Sequence, residues 1–494
     1  MGRISKIYAK IANLRPSGFW PGFIIGLIYF SYIFRWYWPL FPLTNLGIES
    51  KISSFFLILF MFSLSVLGTA FFWGLFSFFI IKLIKKNKPL IIPLATGGLF
   101  VIVEYARAWG FGFLWIGGEN LFGPHWTLGN PVYLLSSFPF VLKFASVWGI
   151  YGIDFLIIWI LSLGFLLAGG VYKIRSRIFL INIGLLFFLF FLTLGLSVKI
   201  DSASKMTPIK VALLQTKIKS KPRHSPDETL EDYAKKLEMI KEASKNIGKG
   251  LIIFPESSNF SQFMFNFLDD ESIKKFFDEL SSDELMIIDN NILSSEDGNK
   301  SRTLFINSKD GISGFYDKQL LTPAGEYLPQ ILKFFLFALR EKPASGYSNL
   351  TQGKHSELLD YEKIKINTIV CSETVSPNIS SRNNSNLLIS LQNLGSFKGS
   401  PIIESQYLSM LKFRAAENGK YALLASNFGR SYIIKPDGKI EKMTDFSGYQ
   451  ILTAEVVPND FRTWYNKLGD LPILLVSLMF FGLSLKRLEN DESN

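Results

Sequence analysis

The sequence predicts two parts, a multi-span α-helical membrane domain and a layered α/β domain attached to it. Three observations carry this reading. Hydrophobic residues make up 48% of the 494-residue chain, with 47 Phe and only 19% charged residues, a balance that suits a membrane protein with a soluble part. Five apolar stretches precede residue 200, each long enough to span a bilayer, which needs about 20 residues. Beyond residue 200, charged residues become frequent and strand patterns alternate with helical ones, the mark of a layered α/β or α+β domain built on a sandwich of sheets.

The apolar stretches run over 17–38, 53–84, 89–106, 140–169 and 178–198. The second is long enough to be one tilted helix or two short segments broken near Gly68. The first lacks a small-residue cleavage site and is followed by further spans, so it reads as an uncleaved anchor. A last apolar run, Leu471 to Leu485, reaches spanning length with Leu468 and its neighbours, giving a C-terminal transmembrane helix over 467–487 and a polar tail over 488–494.

In the domain expected over 201–466, strands are predicted at Ile209–Gln215, Leu251–Phe254, Leu285–Ile288, Thr303–Ile306, Gly311–Tyr316, Ile366–Val370, Leu387–Leu391, Tyr421–Ser426 and Ser431–Lys435. Helical spacing covers Asp227–Lys245 and Glu404–Glu417, the latter stopped by Gly419 as a C-cap. Pro436-Asp437-Gly438 makes a turn.

The net charge is +11. Most of it lies in four clusters: Arg3, Lys6, Lys10 and Arg15; Lys82, Lys85, Lys86 and Lys88; Lys173, Arg175 and Arg177; Lys486 and Arg487. With five spans before a large external domain and a sixth after it, all four fall on one side, as the positive-inside rule requires. The basic excess is therefore a topology signal, and no aromatic-basic stripe or groove-binding motif supports nucleic-acid binding. A single cysteine excludes an internal disulfide. His125, His224 and His355 lack ligand spacing, so neither a metal nor another cofactor is expected.

Cys371 is that single cysteine, and it ends the run Ile366-Asn367-Thr368-Ile369-Val370. Two other strands end similarly, one in Phe254-Pro255-Glu256 and one in Tyr316-Asp317-Lys318. An acid, a lysine and a thiol at strand ends are the parts of an activated nucleophile. Each has a plainer reading: a buried structural thiol, a surface acid at a loop start, and an edge-strand lysine that blocks aggregation. A free thiol with a pKa of about 8.5 is mostly protonated at neutral pH, so a base and a nearby cation both help it. The Ser372 N–H would be a natural second oxyanion donor.

Flanking residues sharpen the choice. Tyr316-Asp317-Lys318-Gln319-Leu320-Leu321-Thr322-Pro323-Ala324-Gly325-Glu326-Tyr327-Leu328-Pro329 resembles the Y-x-K-x-x-L-x-P-x-G-E-x-x-P signature of the apolipoprotein N-acyltransferases, the membrane branch of the nitrilase superfamily. Phe254-Pro255-Glu256-Ser257 is similar to their W-P-E-[ST] segment, and Val370-Cys371-Ser372-Glu373 to their C-Y-E segment. Val211 to Gln215 is similar to their opening strand. Glu104-Tyr105-Ala106-Arg107-Ala108-Trp109 resembles their E-x-x-R-x-W motif, and Thr463-Trp464-Tyr465 with Gly469-Asp470 and Pro472 resembles the entry to their last span. The likeness runs through nearly the whole chain.

The resemblance implies a four-layer αββα sandwich with Glu256 as general base, Lys318 as supporting cation, Cys371 as nucleophile, and Glu326 and Glu373 as supporting acids. It implies a multi-pass protein of the bacterial cell membrane whose catalytic domain lies on the external or periplasmic side. The implied reaction moves an acyl chain from a phospholipid donor, through a thioester, to the amine of a diacylglyceryl lipoprotein acceptor. The chain departs from the family pattern at Leu391-Gln392-Asn393-Leu394-Gly395-Ser396-Phe397, at Tyr407 where a His is usual, and at Leu411-Lys412-Phe413-Arg414-Ala415. These positions bear on acceptor choice, which keeps a membrane-anchored amidase or hydrolase as the alternative. A non-catalytic lipid- or lipoprotein-binding relative is a third class, disfavoured by the intact acid-lysine-cysteine set.

Two further features concern the membrane. Glu104 and Arg107 stand three apart and can pair on one helix face, as a functional site or a structural ion pair. Ile331-Leu332-Lys333-Phe334-Phe335-Leu336-Phe337-Ala338-Leu339 reads either as an arm dipping into the bilayer or as a buried core helix.

Overall fold

The computed structural model describes residues 18–86, 91–117, 126–170, 174, 176–197, 206–220, 224–280, 284–339, 349–354, 358–381, 384–446 and 448–490. Arg3, Lys6, Lys10, Arg15, Lys88, Lys173, Arg175, His125 and His355 lie outside these residues, so the expectations resting on them carry over untouched.

Each apolar stretch forms a helix. They are α1 (Phe19–Ile33), α2 (Lys51–Lys86), α3 (Ile92–Leu114), α4 (Pro139–Ala168) and α5 (Arg177–Ser197). Among the described residues, three helices are long and apolar enough to cross a membrane, over 51–84, 139–168 and 177–197. The other two expected spans differ in kind. The helix α1 has 15 residues before it tightens into a 3-10 segment at Phe34–Leu40, and α3 carries Glu104 and Arg107. The long second stretch is one continuous helix of 36 residues, not two segments broken near Gly68. Outward-facing Phe187, Phe188 and Phe191 on α5 leave an apolar surface that suits the hydrocarbon of a bilayer.

The helix α4 breaks at Gly149, which stands at φ 65° and ψ −173°. Two constraints meet there. The backbone occupies a region open to glycine alone at little cost, and the Tyr465 ring presses so close that a Cβ would lie 2.1 Å from its Cε2.

Residues 206–456 form two six-stranded sheets among the described residues. The first contains β1 (Ile209–Gln215), β2 (Gly250–Ile253), β3 (Leu285–Ser295), β4 (Gly298–Asn307), β5 (Gly311–Asp317) and, later in the chain, β12 (Gln450–Val456), in the order β12-β1-β2-β3-β4-β5. The second contains β6 (Leu359–Tyr361), β7 (Ile364–Val370), β8 (Leu387–Asn393), β9 (Ala422–Asn427), β10 (Tyr432–Ile434) and β11 (Ile440–Met443), in the order β11-β10-β9-β8-β7-β6. Pairing is parallel through β1-β2-β3 and β7-β8-β9, and antiparallel at the flanks.

Strand alternation assigns the layers. Val211, Leu213, Leu251 and Ile253 of the first sheet join one core with Leu387, Ile389, Leu391, Leu423 and Ala425 of the second. Ala212, Leu214 and Ile252 face outward onto α6 (Pro226–Ile247), α7 (Phe260–Phe267) and α8 (Asp270–Asp278). Leu388, Ala422 and Leu424 face outward onto α11 (Pro401–Asn418). The αββα sandwich that the sequence implied is therefore present. A short α9 (Gln330–Leu339) and α10 (Pro377–Ser380) lie between the sheets' strands in sequence.

The helix α11 is buried on both sides. Leu411 and Ala415 meet the sheet, while Phe413 meets the ring of Tyr133 from the membrane domain, edge to face at 5.3 Å between centroids. Gln406 donates to the Ile33 carbonyl at 2.9 Å, so the membrane domain serves as a second wall for this helix. After β12, α12 (Trp464–Leu468) leads into α13 (Leu471–Asn490), which lies so close to α3 that a Cβ on Gly98 would meet the Ser477 carbonyl at 2.8 Å.

Gly149→Ala should destabilise the protein by about 1–3 kcal/mol from backbone strain alone, with the clash on Tyr465 adding to it. The check is thermal unfolding in detergent. An unchanged midpoint would show that α4 does not need its break.

Candidate active site

Glu256 comes three residues after β2, beyond Phe254 and Pro255. Phe254 holds the exit from the strand by donating to the Ile288 carbonyl at 2.9 Å, and Pro255 fixes the next φ. Lys318 follows β5 directly, and its own N–H donates to the Ser301 carbonyl at 2.9 Å. Cys371 follows β7 and opens a 3-10 turn over Cys371–Val375. Its φ is +47°. That left-handed value is uncommon for a residue with a Cβ, and such strain gathers at functional sites.

Three separate strand ends thus converge. The Lys318 ammonium donates to Glu256 Oε1 and to Glu326 Oε1, each at 2.7 Å. Glu326 is held in turn by the Thr322 N–H, which reaches its Oε2 at 2.7 Å. The Cys371 thiol interacts electrostatically with the Glu256 carboxylate and donates to the Tyr407 hydroxyl at 4.0 Å. Lys318 is 1% exposed and Cys371 6%, so the group is shielded from bulk water.

Glu373 does a different job. Its Oε1 accepts from the Tyr316 hydroxyl and the Gln319 N–H, both at 2.6 Å, and from the Leu320 N–H at 3.3 Å. Its Oε2 accepts from the Val370 N–H at 2.7 Å. One buried carboxylate therefore joins the Lys318 loop to the Cys371 turn. The Ser372 hydroxyl adds a bond from that turn to the Leu320 carbonyl.

The electrostatics follow from burial. Desolvation pushes the Glu256 carboxyl up to about 6, although Lys318 pulls it down. Burial also works against the Lys318 charge, but Glu256 and Glu326 outweigh it and hold the ammonium firmly protonated. The thiol rises far above its usual value, through burial first and the Glu256 charge second, with Lys318 offsetting only part of this. Lys318 by itself lowers the thiol pKa, but burial and the Glu256 charge outweigh it. Near neutral pH the resting pair is thus a protonated thiol beside an ionised carboxylate.

Glu256, Lys318, Glu326, Cys371, Ser372 and Glu373 are all brought into one place. Tyr407 was legible only as a departure from a family pattern, and its approach to Sγ comes from the way α11 packs. Tyr316, near the end of β5 and two residues before Lys318, donates to Glu373, and its place in the Y-x-K pattern could have marked it as a site residue. Asn393, which reaches the Glu256 carbonyl at 3.4 Å, was legible only as part of the segment that departs from the family pattern.

The site rests against the membrane helices. Tyr327 donates to the Trp115 carbonyl at 2.7 Å, and the Gln330 N–H to the Ile116 carbonyl at 2.8 Å. The following α9 satisfies part of each earlier reading. Leu332 and Leu336 are buried and Phe335 stacks on Phe60 at 4.2 Å, while Phe334 and Phe337 are 72% and 82% exposed.

Residues 210–466 match the family model described as carbon-nitrogen hydrolase. The chain is 28% identical over 392 residues to an apolipoprotein N-acyltransferase of Geobacter metallireducens, covering 75% of this chain and 70% of that protein. It is 26% identical over 480 residues to an apolipoprotein N-acyltransferase of Prochlorococcus marinus, covering 94% of this chain and 88% of the relative. Among solved structures, Saccharomyces cerevisiae Nit3, a member of branch 10 of the nitrilase superfamily, aligns over 52% of this chain and 93% of its own, with 19% identity and a TM-score of 0.39.

Lys318→Met leaves Glu256 and Glu326 facing one another without a cation. The loss of a partner from a buried ion pair typically costs about 3–5 kcal/mol, and removal of the positive charge moves the Glu256 pKa upward from about 6. Thermal unfolding and the pH profile of Cys371 alkylation should show both effects. If neither changes, Lys318 plays no part in the site.

Proposed function

The chain belongs to the carbon-nitrogen hydrolase family, and on that footing we propose that it is a membrane N-acyltransferase, moving an acyl chain from a phospholipid to the N-terminal amine of a diacylglyceryl lipoprotein. The observation that carries this is a complete, buried Glu256–Lys318–Cys371 set packed against the helical region of the chain. Relatives described as apolipoprotein N-acyltransferases match through both parts of the chain.

In the first half-reaction Glu256 takes the Sγ proton as Sγ attacks the ester carbonyl carbon. The oxyanion forms against the Lys318 ammonium, with the Ser372 N–H as second donor. As the intermediate collapses, the ester C–O bond breaks, Glu256 returns the proton to the departing lysophospholipid oxygen, and a thioester remains on Cys371. In the second half-reaction the acceptor amine attacks that thioester, Glu256 takes the amine proton, and the C–S bond breaks. The thiolate recovers its proton from Glu256. Dividing the transfer in this way predicts ping-pong kinetics.

Glu326 gives the Lys318 ammonium a second carboxylate partner beside Glu256 and so keeps it in line. On this reading the catalytic domain lies outside the cytoplasm of a bacterial cell membrane, where both lipid and lipoprotein are presented, an orientation that the basic clusters support. Phe334 and Phe337 on α9 are the side chains that would enter the bilayer beside the site.

The deciding experiment supplies a phospholipid with a labelled acyl chain and a diacylglyceryl lipopeptide to the purified protein. Labelled acyl chain should appear first on Cys371 and then on the lipopeptide amine. Cys371→Ala should abolish both. Release of free fatty acid with no acylated lipopeptide would replace this proposal with a membrane-anchored hydrolase.

The base sets the pH dependence. Only ionised Glu256 can accept the thiol proton, so single-turnover acylation should rise with pH through about 6 and flatten above it. Glu256→Gln should remove that limb and lower the rate by about 100-fold or more. A profile that rises instead only above pH 8 would point to direct thiol ionisation.

A paired substitution tests the arm. Phe334→Ser with Phe337→Ser should raise KM for vesicle-borne phospholipid severalfold while leaving kcat near its original value. An unaltered KM would show that α9 plays no part in lipid capture.

A further inference from the structure

The turn that carries Cys371 ends at Val375, and the Val375 carbonyl is held by the membrane domain. The Thr127 N–H donates to it at 3.2 Å, and the Thr127 hydroxyl donates to it as well. The Thr127 oxygen is in turn 2.6 Å from the Tyr133 hydroxyl, and the Tyr133 oxygen is 2.9 Å from Arg414 Nη2. Arg414 lies on α11 and is paired with Glu417, Nε to Oε2 at 3.2 Å. Each of these side chains is buried.

The chemistry of the ends sets the direction of every proton. A carbonyl only accepts and a guanidinium only donates. Thr127 must spend its single hydroxyl proton on Val375, so Tyr133 must give its own to Thr127 and accept from Arg414. The relay therefore runs one way, from Arg414 through Tyr133 and Thr127 to Val375.

The segment bearing Thr127 and Tyr133 is anchored on the membrane side. Arg107, paired with Glu104 at 2.9 Å, donates to the Leu128 carbonyl at 2.9 Å. Tyr29 donates to the Gly129 carbonyl at 3.0 Å. Asn130 donates to Asp154 at 2.5 Å, and its Oδ1 caps the Val132 N–H at 2.9 Å. These bonds come from α1, α3 and α4, so the segment is fixed to three helices of the N-terminal region before it reaches the cysteine turn.

We propose that Thr127 and Tyr133 are positioning residues for Cys371, a strut by which the membrane domain holds the strained nucleophile turn against Glu256. The proposal rests on Cys371 being the nucleophile argued above. A residue at φ +47° tends to relax toward ordinary backbone unless its surroundings prevent it. Glu373 fixes the near end of the turn at Val370, and Thr127 fixes the far end at Val375.

The test uses the full-length protein in lipid nanodiscs, with two readouts: alkylation of Cys371 by iodoacetamide, and single-turnover acylation from a phospholipid. Thr127→Val keeps the shape and the backbone bond but removes the hydroxyl. It should slow both readouts by about five- to tenfold, the size of one net hydrogen bond, with KM for phospholipid unchanged. Thr127→Ser restores the hydroxyl and should restore both rates, which a general packing role would not explain. Should Thr127→Val fail to fold, Tyr133→Phe carries the test, with a fall of about threefold or more expected in both rates. Alkylation at the original rate in the folded variant tested overturns the strut, as does Thr127→Ser failing as badly as Thr127→Val. If the unmodified protein alkylates at Cys371 yet takes no acyl chain from phospholipid, the proposed function fails while the alkylation comparison still decides the strut.

Discussion

The site depends on one carboxylate that need not touch substrate. Glu373 accepts bonds from Val370 on one sheet and from Tyr316, Gln319 and Leu320 at the edge of the other. Two sheets packed face to face can slide, because apolar contacts are non-directional. Four directional bonds to a single buried charge remove that freedom where the sheets' strand ends must meet. Hydrogen bonds to a charged group contribute roughly 1.5–3 kcal/mol each, enough to make this register the preferred one. Lys318 and Cys371 come from different sheets, and their proximity is a consequence of that joint.

The strand ends explain why the reactive groups gather there. A parallel strand delivers its last residue to the rim of the sheet, where backbone turns away and side chains are no longer committed to the core. Glu256 and Cys371 leave parallel strands, while Lys318 leaves an antiparallel one. Burial at that rim then does the electrostatic work. It raises both the acid and the thiol, so the proton stays on sulfur until a substrate is present. A permanently ionised thiolate would be exposed to oxidation and adventitious electrophiles. On the proposed function, this arrangement keeps the base ready and the nucleophile guarded.

The membrane helices are structural partners of the sandwich as well as its anchor. They cover the outer face of α11, dock the Glu326 loop at Trp115 and Ile116, and meet the cysteine turn at Thr127. Their own polar groups follow the same logic. Glu104, Arg107, Asn130 and Asp154 are paired or aimed at backbone in a place where an unsatisfied charge would be costly. The Glu104–Arg107 pair is thus at once an ion pair and the support of a segment that reaches the site.

Much of this architecture was legible in the residues. The apolar runs of Ile209–Gln215 and Leu387–Leu391, the capping glycine at 419 and the length of the apolar stretches specify elements through local sequence alone. Glu256, Lys318 and Cys371 were legible for the same reason, since each follows directly on a strand pattern. The strands β6, β11 and β12 were not. Each is short or mixed in polarity, and β12 gains its identity by pairing with β1, more than two hundred residues away. The break in α4 likewise hides in an apolar run, because a glycine within a helix is silent until Tyr465 presses on it. What the sequence by itself determined is where strands, helices and reactive groups fall along the chain, since those depend on neighbours within a few residues. Only the tertiary structure decided that Glu373 locks two sheets, that Tyr407 approaches the sulfur, and that Thr127 reaches Val375. Those contacts join residues far apart in the chain, and no local periodicity encodes which distant partner a side chain will meet.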